Sequence, residues 1–237
     1  MVGPGLSRRV SGGGVKRVPE PELMEAGPQV DAYASADFSE PNEQFCALFQ
    51  QRFAGFAGAR VIDLGCGPAD IPIRLALAYA GSRVFAVDGS AAMLARARRS
   101  AVSQGVEQRL ELIRWHIGNA PVPQRLAAAG DAVISNSLLH HLVDPQVLWT
   151  TIRVCAAPGA IVLVMDLRRP ESRNAARRLV EQYADQEPPI LKQDFFNSLL
   201  AAYREDEIRD QLANSELKGF TVEQVSDRHL AVYGGLP

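Results

Sequence analysis

The sequence predicts an α/β fold: a doubly wound, mostly parallel sheet in a single domain. Three observations carry this. From Arg60 onward, strand-length apolar runs alternate with helix-period patterns. The first run, Val61-Ile62-Asp63-Leu64, ends in the turn Gly65-Cys66-Gly67-Pro68-Ala69-Asp70, which opens on a helical pattern. A carboxylate, Asp88, closes the second run about 20 residues beyond that turn, the spacing with which open α/β sheets build a nucleotide crevice.

Residues 1–18 are rich in Gly, Ser, Arg and Val without a period and read as a disordered leader. The domain is expected over 19–237, opening with N-terminal helices over 19–57. Of two helical patterns between Pro28 and Ala57, the second has Ser39 placed as its cap and Pro41 in its first turn. Phe45, Leu48, Phe49, Arg52 and Phe53 recur at helical spacing, as a core-facing stripe does. Strand Arg60–Leu64, helix Ala69–Ala80, strand Arg83–Val87 and helix Ala91–Ser103 come next. A third strand, Leu110–Trp115, leads through Ala120–Ala129 to a fourth, Ala132–Ser135. Helix Pro145–Ala156 then turns at Ala157-Pro158-Gly159 into strand Ala160–Met165. Residues 171–213 hold three helical patterns, broken near Pro188-Pro189 and Tyr203-Arg204, and Phe220–Val225 and Leu230–Tyr233 close the chain as an antiparallel pair.

At 237 residues the chain can bury one substantial core. An apolar fraction of 47% beside 22% charged residues matches ordinary globular proteins. A net charge of −2 gives no field that would attract nucleic acid, which leaves a small molecule as the expected partner. The basic runs Arg96-Ala97-Arg98-Arg99 and Arg168-Arg169 read as solvated surface. Cys46, Cys66 and Cys155 are odd in number and form no CxxC pair, which argues against a disulfide framework and structural zinc. No run nears the ~18 apolar residues of a membrane span, and the N-terminus has no signal-peptide apolar core. The expectation is a cytoplasmic protein with reduced thiols and no membrane contact.

Gly65 and Gly67 permit positive φ and the close approach of a ligand. The N–H groups at the next helix start favour an anionic group such as a carboxylate. Asp88 is placed to accept ribose hydroxyls, and capping the helix after it is a compatible second role. Asp63 is a carboxylate in an apolar strand, costly to bury unpaired, so it either orients the turn or meets a cationic ligand group. Asp70 reads as the cap of the helix that follows. Asn119, in Gly118-Asn119-Ala120, offers donors and an acceptor to an adenine edge. His140 and His141 end the fourth strand; adjacent histidines are expected to point apart, one serving as general base and the other structural. Accordingly no metal is expected. Tyr33 and Phe38 stand before the sheet, where they either close over a ligand or pack beneath the first helix. Arg168, just past the fifth strand, is a candidate anchor for an acidic acceptor, whereas Arg173, Arg177, Arg178 and His229 fit solvated or packed positions.

Taken together, Ile62-Asp63-Leu64-Gly65-Cys66-Gly67, Val87-Asp88, Gly118-Asn119-Ala120, Asn136-Ser137-Leu138-Leu139-His140-His141 and Ala157-Pro158-Gly159 fall in the order seen in class I S-adenosylmethionine-dependent methyltransferases. The chain resembles that family most closely over 58–166. The resemblance implies a Rossmann-like sheet of seven strands, the last antiparallel, and S-adenosylmethionine as cofactor. It implies cofactor methionine at Gly65 and Gly67, ribose at Asp88 and adenine around Asn119, with Asp63, Cys66, Gly89, Met93, Ala120 and Asn136 beside them. Substrate contacts are expected from Tyr33, Phe38 and Arg168, with 19–57 and 167–218 as the variable substrate-covering segments. Two departures stand out: the loop's third glycine is Ala69, and the acid usual beside the adenine amino group is Asn119. The implied reaction is in-line methyl transfer to a small molecule, with His140 or His141 as base where the acceptor loses a proton. A nicotinamide-dependent oxidoreductase fits less well, since the turn lacks the last glycine of GxGxxG. A non-catalytic binding or scaffold protein of the same fold is the alternative from another class.

Overall fold

The computed structural model describes residues 15–20, 38–57, 59–215, 217 and 219–237. Tyr33, the first expected N-terminal helix and residues 1–14 of the leader lie outside the described residues. Seven strands form one sheet in the order β3-β2-β1-β4-β5-β7-β6. They are β1 (Arg60–Leu64), β2 (Arg83–Asp88), β3 (Leu110–Arg114), β4 (Gly130–Asn136), β5 (Ala156–Leu167), β6 (Thr221–Gln224) and β7 (His229–Gly235). Strands β1 to β5 run parallel, while β7 runs antiparallel between β5 and β6. The helices are α1 (Ser39–Arg52), α2 (Asp70–Ala78), α3 (Ala91–Ser103), α4 (Gln146–Cys155), α5 (Arg173–Tyr183), α6 (Pro189–Ala201) and α7 (Glu205–Ala213).

The pleat sorts the strands between two cores. In β1, Val61 joins the core under α1, α2 and α3, whereas Ile62 and Leu64 join the one under α4 and α7. Asp63 follows Val61 onto the α1 side and is 2% exposed. On that side Phe45, Leu48 and Phe49 of α1 are buried, and Phe49 packs edge-to-face with Phe53, Phe56 and Tyr79. On the other, Trp149 of α4 is fully buried and its indole N–H donates to Gln211 Oε1 at 3.0 Å. A third, smaller cluster joins Leu167 to α5 and α6 over the sheet's carboxyl edge.

Four local readings change. Helix α1 begins at Ser39 itself, with Phe38 in the capping position. Asp70 is not the cap of α2: Ala69 holds that position in the left-handed region (φ 67°, ψ 32°), and Asp70 pairs instead with Arg74 one turn on, at 2.7 Å. Ala157–Gly159 is not a turn ahead of the strand but part of β5, which starts at Ala156 because that residue pairs with Gly130. Arg169 is not solvated; it is 2% exposed, donates to Ala202 O at 3.0 Å and meets Glu207 at 2.5 Å.

The fifth change matters more. Residues 15–18 of the expected leader, continued by Pro19 and Glu20, run as a strap across the carboxyl edge. The N–H groups of Val15 and Val18 donate to the carbonyls of Glu171 and Leu200. Arg17 donates to Ala201 O at 2.6 Å and to the carbonyls of His140 and Leu142, both at 2.9 Å, and its guanidinium lies over the Tyr203 ring. Carbonyls that end a helix or a short turn lack donors within that element, and a guanidinium with five N–H groups satisfies several at once. Arg17→Ala should therefore destabilise the chain by about 2 kcal/mol, read as a lower urea midpoint at unchanged slope. An unchanged midpoint would show the strap to be energetically idle.

Candidate active site

The carboxyl ends of β1, β2 and β4 and helices α1, α5 and α6 surround a cavity of about 350 Å³. That volume falls in the range of small-molecule sites. Its first wall is the turn after β1. Gly65 (φ 81°) and Gly67 (φ 52°) both take left-handed backbone, and a Cβ on Gly67 would meet no atom within 4 Å. The turn is tied across the crevice: Asp88 Oδ2 accepts the Gly67 N–H at 2.8 Å while Oδ1 accepts the Ser90 N–H at 2.7 Å. Ser90 in turn caps α3 by accepting the Met93 N–H. Burial nevertheless raises the Asp88 pKa, against the lowering effect of those two N–H groups.

Asp63, Gly65, Cys66 and Gly67 all line the cavity, as do Asp88, Gly89, Met93 and Asn136. Among the described residues Asp63 accepts no hydrogen bond; burial and the neighbouring Asp88 push its pKa from 3.8 to about 8. The Oδ1 of Asn136 is buried without a hydrogen-bond partner, and so is the indole N–H of Trp115. Buried polar groups left unmet are costly. Two carboxylates and an amide oxygen thus converge on space that a cation with hydrogen-bond donors would fill. Ser137, next to Asn136, is itself strained at φ 55°.

Asn119 and Ala120 are not brought to this cavity. The chain crosses the sheet edge at Trp115, His116 and Ile117, which line it, and then folds back at Gly118 so that Asn119 and Ala120 face solvent. Arg168 is likewise absent from the lining. Strand alternation puts Leu167 on the cavity and turns Arg168 away, where its N–H donates to Arg228 O. Arg228 lines the cavity instead, 8% exposed, with its guanidinium 3.4 Å from the centre of the Tyr183 ring. Its carboxylate neighbours, Asp227 and Glu40, stand off at 3.6 and 3.9 Å. Among the described residues it is the one lysine or arginine of the lining. Strand periodicity could have disqualified Arg168; nothing in the sequence singled out Arg228. Phe38 lines the mouth beside α1, and His229 is packed, hydrogen-bonded to Ser226 and pushed down to about 4 by burial and Arg228.

The histidines converge rather than diverge. Their rings lie 4.1 Å apart at 37°, and both meet one oxygen of Glu20, His140 Nε2 at 3.4 Å and His141 Nδ1 at 3.2 Å. Asp166 draws the His140 ring back along its turn through a 2.5 Å contact with Nδ1. Burial pulls the His140 pKa down, but the Asp166 and Glu20 carboxylates outweigh it and the net shift is upward. Burial pushes Asp166 up, and here His140 wins, so its carboxyl titrates low.

The sequence pattern of the methyltransferase domain family matches residues 56–216. The chain belongs to that family, and its sheet is that of the class I S-adenosylmethionine-dependent methyltransferases, whose cofactor is S-adenosylmethionine. It is 30% identical over 143 residues to a trans-aconitate 2-methyltransferase of Variovorax paradoxus, covering 60% of this chain and 52% of that protein. A ubiquinone biosynthesis O-methyltransferase of Caulobacter is 30% identical over 149 residues, covering 60% of this chain and 55% of its own. A tRNA 5-carboxymethoxyuridine methyltransferase of Escherichia coli is 30% identical over 110 residues, covering 45% of this chain and 39% of its own. The chain thus spans about half the length of the first two of these curated relatives. In structure it is similar to a SAM-dependent methyltransferase of Aquifex aeolicus, with a TM-score of 0.63 and 19% identity over 88% of this chain and 98% of that one. Among the described residues no helix is long and apolar enough to cross a membrane.

The cofactor's cationic, donor-bearing amino-acid end fits the unmet Asp63 and Asn136 oxygens, which gives Asp63 a measurable signature. Between pH 3.8 and about 8 the folded chain holds a proton there that the unfolded chain has released. Stability accordingly falls as pH rises through that window and levels off above it. Asp63→Asn should flatten the decline in Tm between about pH 5 and pH 8 in ligand-free protein. Equal slopes in variant and parent would contradict an uncompensated carboxylate at Asp63.

Proposed function

We propose that this chain transfers a methyl group from S-adenosylmethionine to a small-molecule acceptor carrying a carboxylate. The observation that carries this reading is the composition of the cavity wall. Asp63, Gly67, Asp88 and Asn136 come from the carboxyl ends of β1, β2 and β4, and His140 of the 139–141 turn and Arg228 of the β6–β7 turn line the same cavity. Bound there, the cofactor supplies a methyl group on a sulfonium, with a thioether as leaving group. Gly65 and Gly67 hold its methionine part, Asp63 and Asn136 take its cationic end, and Asp88 receives the ribose hydroxyls through lone pairs that its two N–H bonds leave available. Much of the rate then comes from alignment of acceptor, methyl group and sulfur.

Arg228 suits an anionic acceptor group, because its own carboxylate neighbours stand outside hydrogen-bond distance and the Tyr183 ring holds its guanidinium in place. The trans-aconitate 2-methyltransferase among the relatives is named for an acidic small molecule, which supports the same class. His140 is the base where the acceptor must lose a proton, and His141 stands beside it as the second histidine of the pair. Asp166 on Nδ1 fixes the tautomer, leaves Nε2 to receive the proton and stabilises the imidazolium that results.

The direct test is a screen for S-adenosylhomocysteine formation against carboxylate-bearing acceptors, their neutral analogues and tRNA. Turnover confined to the carboxylates is expected; turnover on tRNA alone would overturn the acceptor class. Binding without turnover on any acceptor would favour the non-catalytic reading. With an acceptor in hand, Arg228→Gln should raise KM about 10- to 100-fold with little effect on S-adenosylhomocysteine affinity. His140→Ala should lower kcat by about 10²- to 10⁴-fold on an acceptor that loses a proton. Undiminished kcat in His140→Ala would exclude the base role.

A further inference from the structure

We propose that Glu20, His140 and His141 form a binding site for a divalent transition metal of the zinc class, assembled where the 15–20 strap meets the 139–141 turn. One ligand atom from each, Glu20 Oε1, His140 Nε2 and His141 Nδ1, all lie within 4.8 Å of one another. The two Glu20 distances, 3.4 and 3.2 Å, are long for charge-assisted hydrogen bonds, which run at about 2.7–2.9 Å. They match the edge of a tetrahedron instead: ligands at about 2.0–2.2 Å from zinc stand about 3.3 Å apart.

The donor chemistry points the same way. Two imidazoles and a carboxylate make the three-ligand set of open zinc sites, with further positions left for water or a ligand. Imidazole selects zinc, nickel, cobalt or copper over magnesium and calcium. An outer shell is present as well. Asp166 holds His140 Nδ1 at 2.5 Å, the carboxylate–histidine–metal arrangement that fixes the ring and raises its basicity. Ser198 Oγ donates to the Glu20 oxygen at 2.8 Å and orients it. Both histidines line the cavity, so metal bound there would be reached from the acceptor space.

Two consequences follow. Glu20 comes from the strap and the histidines from the turn, so metal would clasp the strap over the cavity edge. Metal also takes the Nε2 lone pair of His140, so occupancy and base function exclude each other. That second consequence rests on the base assignment made above; the binding does not.

The test is calorimetric titration of zinc chloride into the full, chelator-stripped chain in a non-coordinating buffer, with magnesium chloride as a control. S-adenosylhomocysteine is titrated into the same samples. One zinc per chain is expected, with no saturable magnesium binding. Affinity should fall by on the order of 100-fold in Glu20→Gln and in His141→Asn, and by about 10- to 100-fold in Asp166→Asn. Cys46→Ser should leave it unchanged, since no thiol belongs to the site. Cobalt in place of zinc should give the visible spectrum of nitrogen and oxygen ligation without a thiolate band. Saturable S-adenosylhomocysteine binding alongside absent zinc binding would overturn the metal site and leave the methyltransferase reading intact. Zinc affinity unmoved by both Glu20→Gln and His141→Asn, in variants that melt like the parent, would overturn it equally.

Discussion

Asp88 accepts a backbone N–H on each carboxylate oxygen, from Gly67 across the crevice and from Ser90 along its own chain. Much of the site depends on that pair of bonds. The Gly67 bond holds the left-handed turn after β1 against the tip of β2, and with it the start of α2. The Ser90 bond sets the cap that begins α3 and brings Met93 to the cavity. Glycine makes this possible at Gly65 for a second reason. A Cβ there would stand 3.0 Å from the Leu138 side chain, which packs into the space that the glycine leaves. The Asn136–His141 segment and the glycine turn therefore share one packing constraint.

The opposite edge of the site is organised by charge. Arg17 gathers the carbonyls of His140, Leu142 and Ala201, while three residues on, Glu20 meets both imidazoles. Asp166 anchors the His140 ring from the sheet side. The turn that carries the histidines is thus held by ionic groups from two directions. Where, among the described residues, Asp63 and the Asn136 Oδ1 have no hydrogen-bond partner, His140 is met by a carboxyl group on each ring nitrogen. That difference suits the first region to a cationic ligand group and the second to proton or metal chemistry.

The strands and most helices were legible because they follow burial on two faces of a sheet, and burial leaves a period in the sequence. Strand β1 and helix α3 have the limits expected from pattern alone, and the breaks at Pro188-Pro189 and Tyr203-Arg204 separate α5, α6 and α7. The crevice was legible for the same reason: Gly65, Gly67 and Asp88 sit at strand ends, where direction is fixed by the strand. Legibility ended where a side chain's direction is set by partners distant in sequence. The strap is held by carbonyls more than 120 residues away, and Gly/Ser/Arg composition carries no trace of them. His140 and His141 converge because Asp166 and Glu20 meet them. Asn119 lies past a turn at Gly118 that carries it off the cavity wall. Arg228 reaches the cavity from the β6–β7 turn, a connection without periodicity.

The most direct measurement is a calorimetric titration of S-adenosylhomocysteine into the full chain and into Asp88→Ala, with a nicotinamide dinucleotide as control and thermal melts to establish folding. Saturable binding to the parent, loss in a folded Asp88→Ala, and no binding of the dinucleotide are predicted. No binding by the folded parent, or affinity unchanged by Asp88→Ala, would contradict the crevice described here as the cofactor site.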